Sequence, residues 1–250
     1  MKIDGIQLKA LKLLGQWSLC TIVGFAVGIT LGGITSSAVS VVITLIPSEA
    51  DIVLPDPIVK TILNGVFGCI FGSSIGIMQW LVLRRHLQRA YRWILVNIAW
   101  ITIGTIIATA IHGNMSSPAS VILNVVAFSS FALLQGFILW RRAYAVGLWV
   151  LANAIGWGLG ALATKPIELS ISNLPGTRLE ATPDTIIWWC NYLGFMAAQG
   201  IGYGVTFAAV IGAVTGCALV FLLSHQADQD KPLGSVTEQL PTDVDHLQRG

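Results

Sequence analysis

The chain has 250 residues, 54% of them hydrophobic and only 10% charged, with a mean hydropathy of +0.75, where an ordinary soluble domain carries about 25% charged residues. That balance excludes a soluble globular domain and puts the chain in a membrane. The formal net charge of +2 is nearly neutral, so what counts is where the charges lie relative to the helices, and nothing in the sequence suggests nucleic acid.

Residues 1–14 mix Lys2, Asp4, Lys9 and Lys12 with Ile3, Ile6, Leu8 and Leu11, the composition of an amphipathic lead-in at the cytoplasmic membrane surface. Basic residues before an apolar run also suit a signal peptide. The uncharged run from Leu13 to Pro47 is too long for that, however, and an uncleaved first span is expected. Residues 15–224 then form a single transmembrane domain, an all-α polytopic helical bundle of about six spans.

The first span is placed at about 16–38. Because its uncharged run continues to Ile46, the helix either tilts and protrudes or breaks near Thr35-Ser36-Ser37. Pro47, Pro55 and Pro57 among Glu49, Asp51 and Asp56 make an acidic turn-rich loop before the second span at 61–83. The basic turn Arg84-Arg85-His86-Leu87-Gln88-Arg89 leads into the third span at 93–111, and the polar turn His112 to Pro118 into the fourth at 119–140. Arg141-Arg142 precede the fifth span at 145–164, and Lys165 to Asp184 read as a long proline-containing loop. The uncharged stretch 185–224 is about twice one crossing. Gly200, Gly202 and Gly204 at its centre lack the polar turn residues of a loop in water. Residues 185–204 therefore read as interfacial or re-entrant, with Trp188 and Trp189 in the aromatic belt, and 205–223 as the last span. Residues 225–250 are polar and net acidic, a disordered cytoplasmic tail.

Under six spans, eleven of the fourteen Lys and Arg lie on the side of the N-terminus, and only Lys60, Lys165 and Arg178 lie opposite. The positive-inside rule then puts both termini in the cytoplasm.

The apolar hairpin around the first basic turn recurs. Gln79, Leu83, Arg85, Trp93, Asn97 and Gly104 are matched at an offset of 56 by Gln135, Leu139, Arg141, Trp149, Asn153 and Gly160, which marks a repeated structural unit. Weaker matches extend to the ends. Gly72, Gly76 and Leu83 recur as Gly212, Gly216 and Leu223 at offset 140, and Trp93 and Gly104 as Trp17 and Gly28 at offset 76. The expectation is a third hairpin divided between the first and last spans, closing a pseudo-threefold ring. On these offsets Leu219 stands where Gln79 stands and Thr21 where Asn97 stands.

Two sets of residues are candidates for function. Gln79, Asn97, Gln135 and Asn153 sit at similar depth and serve either as interhelical amide hydrogen bonds clamping each hairpin or as the lining of a pore. Gly24, Gly28 and Gly32, then Gly68, Gly72 and Gly76, then Gly212 and Gly216 repeat every four residues and give smooth faces for close helix packing, within the chain or between copies. Cys20, Cys69, Cys190 and Cys217 are dispersed and read as buried free thiols. No metal-ligand spacing, phosphate loop or nucleophile-base set occurs, so no cofactor, metal or catalytic residue is expected. The spans hold no Asp or Glu on which a proton or sodium relay would run.

Trp93-Ile94-Leu95-Val96-Asn97 and Trp149-Val150-Leu151-Ala152-Asn153, with Gln79-Trp80-Leu81-Val82-Leu83-Arg84 and the segment Val210 to Leu219, resemble a group of multi-pass membrane proteins frequent in cyanobacteria. The resemblance covers about residues 65 to 224. It implies a bacterial plasma or thylakoid membrane and carries no activity and no functional residue. Two functions remain open on the sequence. One is a non-enzymatic accessory, assembly or scaffold subunit that meets lipid and other membrane proteins. The other is a channel or facilitator for a small neutral or weakly polar solute, with the amides and Ser73, Ser74, Ser129 and Ser130 along its path. A polar lumen would favour the second, a core filled by Trp, Phe and Leu the first.

Overall fold

A computed structural model describes residues 5–45, 55–112, 126–127, 130–138, 143–172 and 186–229. The described residues are helical apart from short turns, with no strand among them. The helices are α1 (Gly5–Leu45), α2 (Asp56–Leu83), α3 (Tyr91–His112), α4 (residues 130–138), α5 (Ala143–Ser172) and α6 (Ile186–Gln229). Of these, α1, α2, α5 and α6 are long and apolar enough to cross a membrane, while α3 is apolar over the shorter stretch Tyr91–Ile107.

The helices begin and end where backbone chemistry allows. At the start of α2, Pro55 stands at the N-cap, Asp56 occupies the first turn and Pro57 follows, so the ring falls where no backbone N–H is needed and the carboxylate meets the positive end of the helix. Its C-terminus closes on itself. Arg84 N–H donates to Trp80 O, and His86 N–H and Leu87 N–H both donate to Leu83 O, satisfying the carbonyls a helix end leaves open. Arg92 and Trp93 bond back to Arg89 and Ala90 to begin α3. The basic turn thus falls where the charge pattern put it. Here the Arg84 guanidinium lies 5.1 Å from the centre of the Trp80 ring, and at the same end His225 stacks on Phe221 and meets the edge of Tyr144.

Three boundaries differ from the sequence reading. The first helix does not break at Thr35-Ser36-Ser37, because Ser36 and Ser37 both donate to Gly33 O, at 3.1 and 2.7 Å, and so satisfy their hydroxyls on their own helix. It also absorbs the lead-in from Gly5 onward, and its 41 residues reach about 60 Å, twice the hydrocarbon core. The expected loop from Lys165 is helical to Ser172, with α5 running through Pro166, which helices in membranes tolerate. The expected re-entrant piece 185–204 and the last span are one continuous helix of 44 residues. Half of the fourth span lies outside the described residues, as do the side chains of Trp188, Trp189 and His112 and the whole of the tail from residue 230.

The chain ends meet in the middle of the fold. α1 packs against both α2 and α6, α2 against α3, and α5 against α6. Glycines set these approaches. A Cβ on Gly72 would stand 2.7 Å from Asn97 O and 2.9 Å from Ile98 Cα, and one on Gly212 would stand 2.9 Å from Ser18 Cα. Gly28 and Gly160 each receive a phenylalanine ring, Phe71 and Phe207 respectively. These glycine faces are therefore occupied within one chain. The outward faces are apolar. Leu19, Leu95 and Leu151, two positions beyond the buried Trp17, Trp93 and Trp149, are 61%, 59% and 55% exposed, since two residues turn a helix by about 200°. Cys69 and Cys217 also lie on exposed faces, which corrects the buried-thiol expectation, while Cys20 is half-buried.

Candidate functional site

At the centre of the bundle stand Trp17 of α1, Trp93 of α3 and Trp149 of α5, all fully buried. Their ring centroids are 6.1 Å (Trp17 to Trp93), 6.0 Å (Trp17 to Trp149) and 5.8 Å (Trp93 to Trp149), with interplanar angles of 68°, 76° and 68°. Each ring therefore sets its edge against the face of another, the arrangement the indole quadrupole favours. Buried indoles need an acceptor for N–H, and each finds one on a neighbouring helix. Trp93 Nε1 donates to Gln79 Oε1 (2.9 Å), Trp149 Nε1 to Gln135 Oε1 (3.2 Å) and Trp17 Nε1 to Thr215 Oγ1 (2.9 Å).

One turn further along each tryptophan-bearing helix a polar side chain turns back. Thr21 Oγ1 donates to Trp17 O, Asn97 Nδ2 to Trp93 O and Asn153 Nδ2 to Trp149 O, at 2.8 to 2.9 Å. Gln79 Nε2 also donates to Thr21 Oγ1 at 3.3 Å, and Thr215 Oγ1 to Ile211 O at 2.7 Å. A continuous hydrogen-bonded path consequently runs from Trp93 through Gln79, Thr21, Trp17 and Thr215 to Ile211, linking α3, α2, α1 and α6.

This geometry corrects the expected clamp. Gln79 and Asn97 do share a depth, but the bond across the hairpin comes from the Trp93 indole to Gln79, while the Asn97 amide is held by its own helix. Gln135 and Asn153 repeat the correction with Trp149. The register of α6 also changes. Gly212 faces Ser18 and Thr21 as Gly76 faces Ile94 and Asn97, and the α6 residue bonded to the Trp17 indole is Thr215, not Leu219. Leu219 and Leu83 are both fully buried.

A second aromatic layer lies two turns beyond the tryptophans, about 12 Å along the helices. Phe25, eight residues after Trp17, meets Phe71, Phe207 and Trp157 with centroids 5.2, 5.7 and 6.1 Å away, and Trp157 meets Phe207 at 4.8 Å. Between the layers the polar side chains border a cavity of about 20 Å³. Ser73 and Ser130 do not border it. Their hydroxyls donate to Cys69 O and Val126 O of their own helices. Among the described residues no group of His, Cys, Asp and Glu is placed to hold a metal.

The tryptophans are what sequence reasoning undervalued. They served as markers of the repeat, although each stands four residues before an amide or hydroxyl and so on the same helix face. No protein-family model, curated protein or solved structure matches the chain. The fold and site define an integral membrane protein built of apolar helices around a buried aromatic centre.

Proposed function

We propose that this chain is a non-enzymatic multi-pass scaffold, an accessory or assembly subunit that presents a fixed apolar perimeter to other membrane proteins. In this reading it makes six crossings as three helical hairpins around a pseudo-threefold axis, with α6 and α1 as the hairpin divided between the chain ends. It sits in a bacterial plasma or thylakoid membrane with both termini cytoplasmic. The observation that carries the reading is the tryptophan centre: three indoles within 6.1 Å of one another fill the axis where a conduit would have to pass. The contact of α1 with α6, and Trp17 bonded to Thr215, support the divided hairpin. The triplet Leu19, Leu95 and Leu151, exposed to similar extents, supports the symmetry. Occupation of the glycine faces inside the chain leaves the outward leucines, not those strips, as the surface for a partner.

The facilitator reading keeps one observation in its favour, the cavity that the amides reach, which at about 20 Å³ is wide enough for one water rather than a file of them. Two measurements separate the readings. In liposomes, water and glycerol flux should equal that of protein-free vesicles. In native membranes, a photo-reactive amino acid at Leu95 or Leu151 should give one discrete adduct with another membrane protein, and the same group at buried Trp93 none. Flux above background that disappears in Gln79→Leu would overturn the scaffold in favour of the facilitator. Reporter fusions at both termini check orientation, with a tail reachable only from outside rejecting the six-crossing topology.

A further inference from the structure

The cavity between the aromatic layers is bordered by Gln79, Asn97, Gln135, Asn153 and Thr215, contributed by α2, α3, α4, α5 and α6. Most of its wall is apolar, with Trp17, Phe25, Ile75 and Trp157 between these groups, so the few polar atoms that reach it decide what it holds. Gln79 Oε1, Gln135 Oε1 and Thr215 Oγ1 each accept one indole proton, which leaves each oxygen further acceptor capacity. Asn97 is fully buried, its amide nitrogen is held by Trp93 O, and its Oδ1 has no hydrogen-bond partner among the described residues. A buried amide oxygen is costly without a donor. The chamber thus offers acceptors and calls for a small donor.

Size and charge select that donor. About 10–15 Å³ suffices for one water, and the cavity has about 20 Å³. No carboxylate borders it to compensate a cation. An apolar molecule would leave Asn97 Oδ1 unpaired. We infer that the chamber is a binding site for a single water molecule, which donates one hydrogen to Asn97 Oδ1 and the other to an indole-loaded oxygen of Gln79, Gln135 or Thr215. The water joins α3 to its neighbours from within, as an internal member of the core. The site stands independently of the scaffold role.

The test is a pair of high-resolution structures of the full chain, in lipid or detergent, with and without xenon pressure, for the native sequence and for Asn97→Leu. Ordered density within hydrogen-bond distance of Asn97 Oδ1, no xenon in the native chamber, and loss of that density in Asn97→Leu are expected. Xenon in the native chamber, no density beside Asn97 Oδ1, or density unchanged in Asn97→Leu would overturn the site. Where Asn97→Leu does not fold, the native chain with and without xenon decides by itself.

Discussion

The approach of α2 to α3 can be tested by adding a single methyl group. In Gly72→Ala the new Cβ would lie 2.7 Å from Asn97 O and 2.9 Å from Ile98 Cα. Both are backbone atoms, so no side-chain rotation relieves the overlap. Restoring contact at 3.4 Å requires the helices to separate by roughly 0.7 Å, a gap that forfeits about a quarter to a half of the dispersion energy of each contact it opens. Gly76, whose own Cβ would be 3.0 Å from Ile94 Cα, lies on the same strip, so the loss extends along it. Overpacking of this kind costs about 1–3 kcal/mol. Gly158 is the control, on the same kind of helix but with nothing within 4 Å of its Cβ position. Gly158→Ala should be neutral or stabilise by up to about 1 kcal/mol through helix propensity alone. Reversible unfolding in mixed micelles, followed by tryptophan fluorescence, gives both values. A Gly72→Ala protein as stable as the native one, or equal losses in the two variants, would refute close backbone contact as the basis of this packing.

Gln79→Leu leaves the Trp93 indole N–H unpaired and should lower stability by about 1–3 kcal/mol. In a double-mutant cycle with Trp93→Phe the pair should show coupling of about 0.5–3 kcal/mol, and additive losses would reject the bond. Thr102 Oγ1 is buried without a hydrogen-bond partner among the described residues, so the near-isosteric Thr102→Val should leave thermal stability unchanged or raise it, and a clear loss would reveal a partner for the hydroxyl. In a cysteine-free background, Thr21→Cys with Gly212→Cys should cross-link within one chain, because the added Cβ would lie 3.3 Å from that of Thr21, close to disulfide geometry. Thr21→Cys with Leu219→Cys should stay reduced, since seven residues carry position 219 about 10 Å along α6, and the reverse pattern would restore the offset of 140.

Where the sequence was legible, a side chain had one possible partner class. Gln79, Trp93 and Asn97 recur as Gln135, Trp149 and Asn153, and the two sets make the same bonds, indole N–H to glutamine oxygen and asparagine amide to tryptophan carbonyl. The register of α6 was not legible, since a small residue every fourth position looks the same when slid by one turn. Gly212 and Gly216 fit Gly72 and Gly76 as well as they fit any neighbouring pair. What places α6 is its buried side, where Phe207, Ile211 and Leu219 turn inward and Thr215 meets Trp17. The replacement of an amide by the hydroxyl of Thr215 hid the third acceptor from any search for identical residues. Helix ends were misjudged for a related reason. Serine hydroxyls and a proline suggest breaks in water, yet within α1 the serines bond their own backbone and within α5 the helix runs through Pro166.

The bond from Trp17 to Thr215 also sets a timetable for biogenesis. The two residues are 198 positions apart, and at about 5–20 residues per second of synthesis roughly 10–40 s separate their emergence from the ribosome. Over that interval α1 is already in the bilayer while the acceptor for its indole has not yet been made. Hydrocarbon supplies no substitute, so the polar edge of Trp17 must shelter against α2, against headgroups or against an insertion factor until the last helix arrives. In a chain halted before residue 215, the Trp17 indole lacks the acceptor that Thr215 provides in the finished fold.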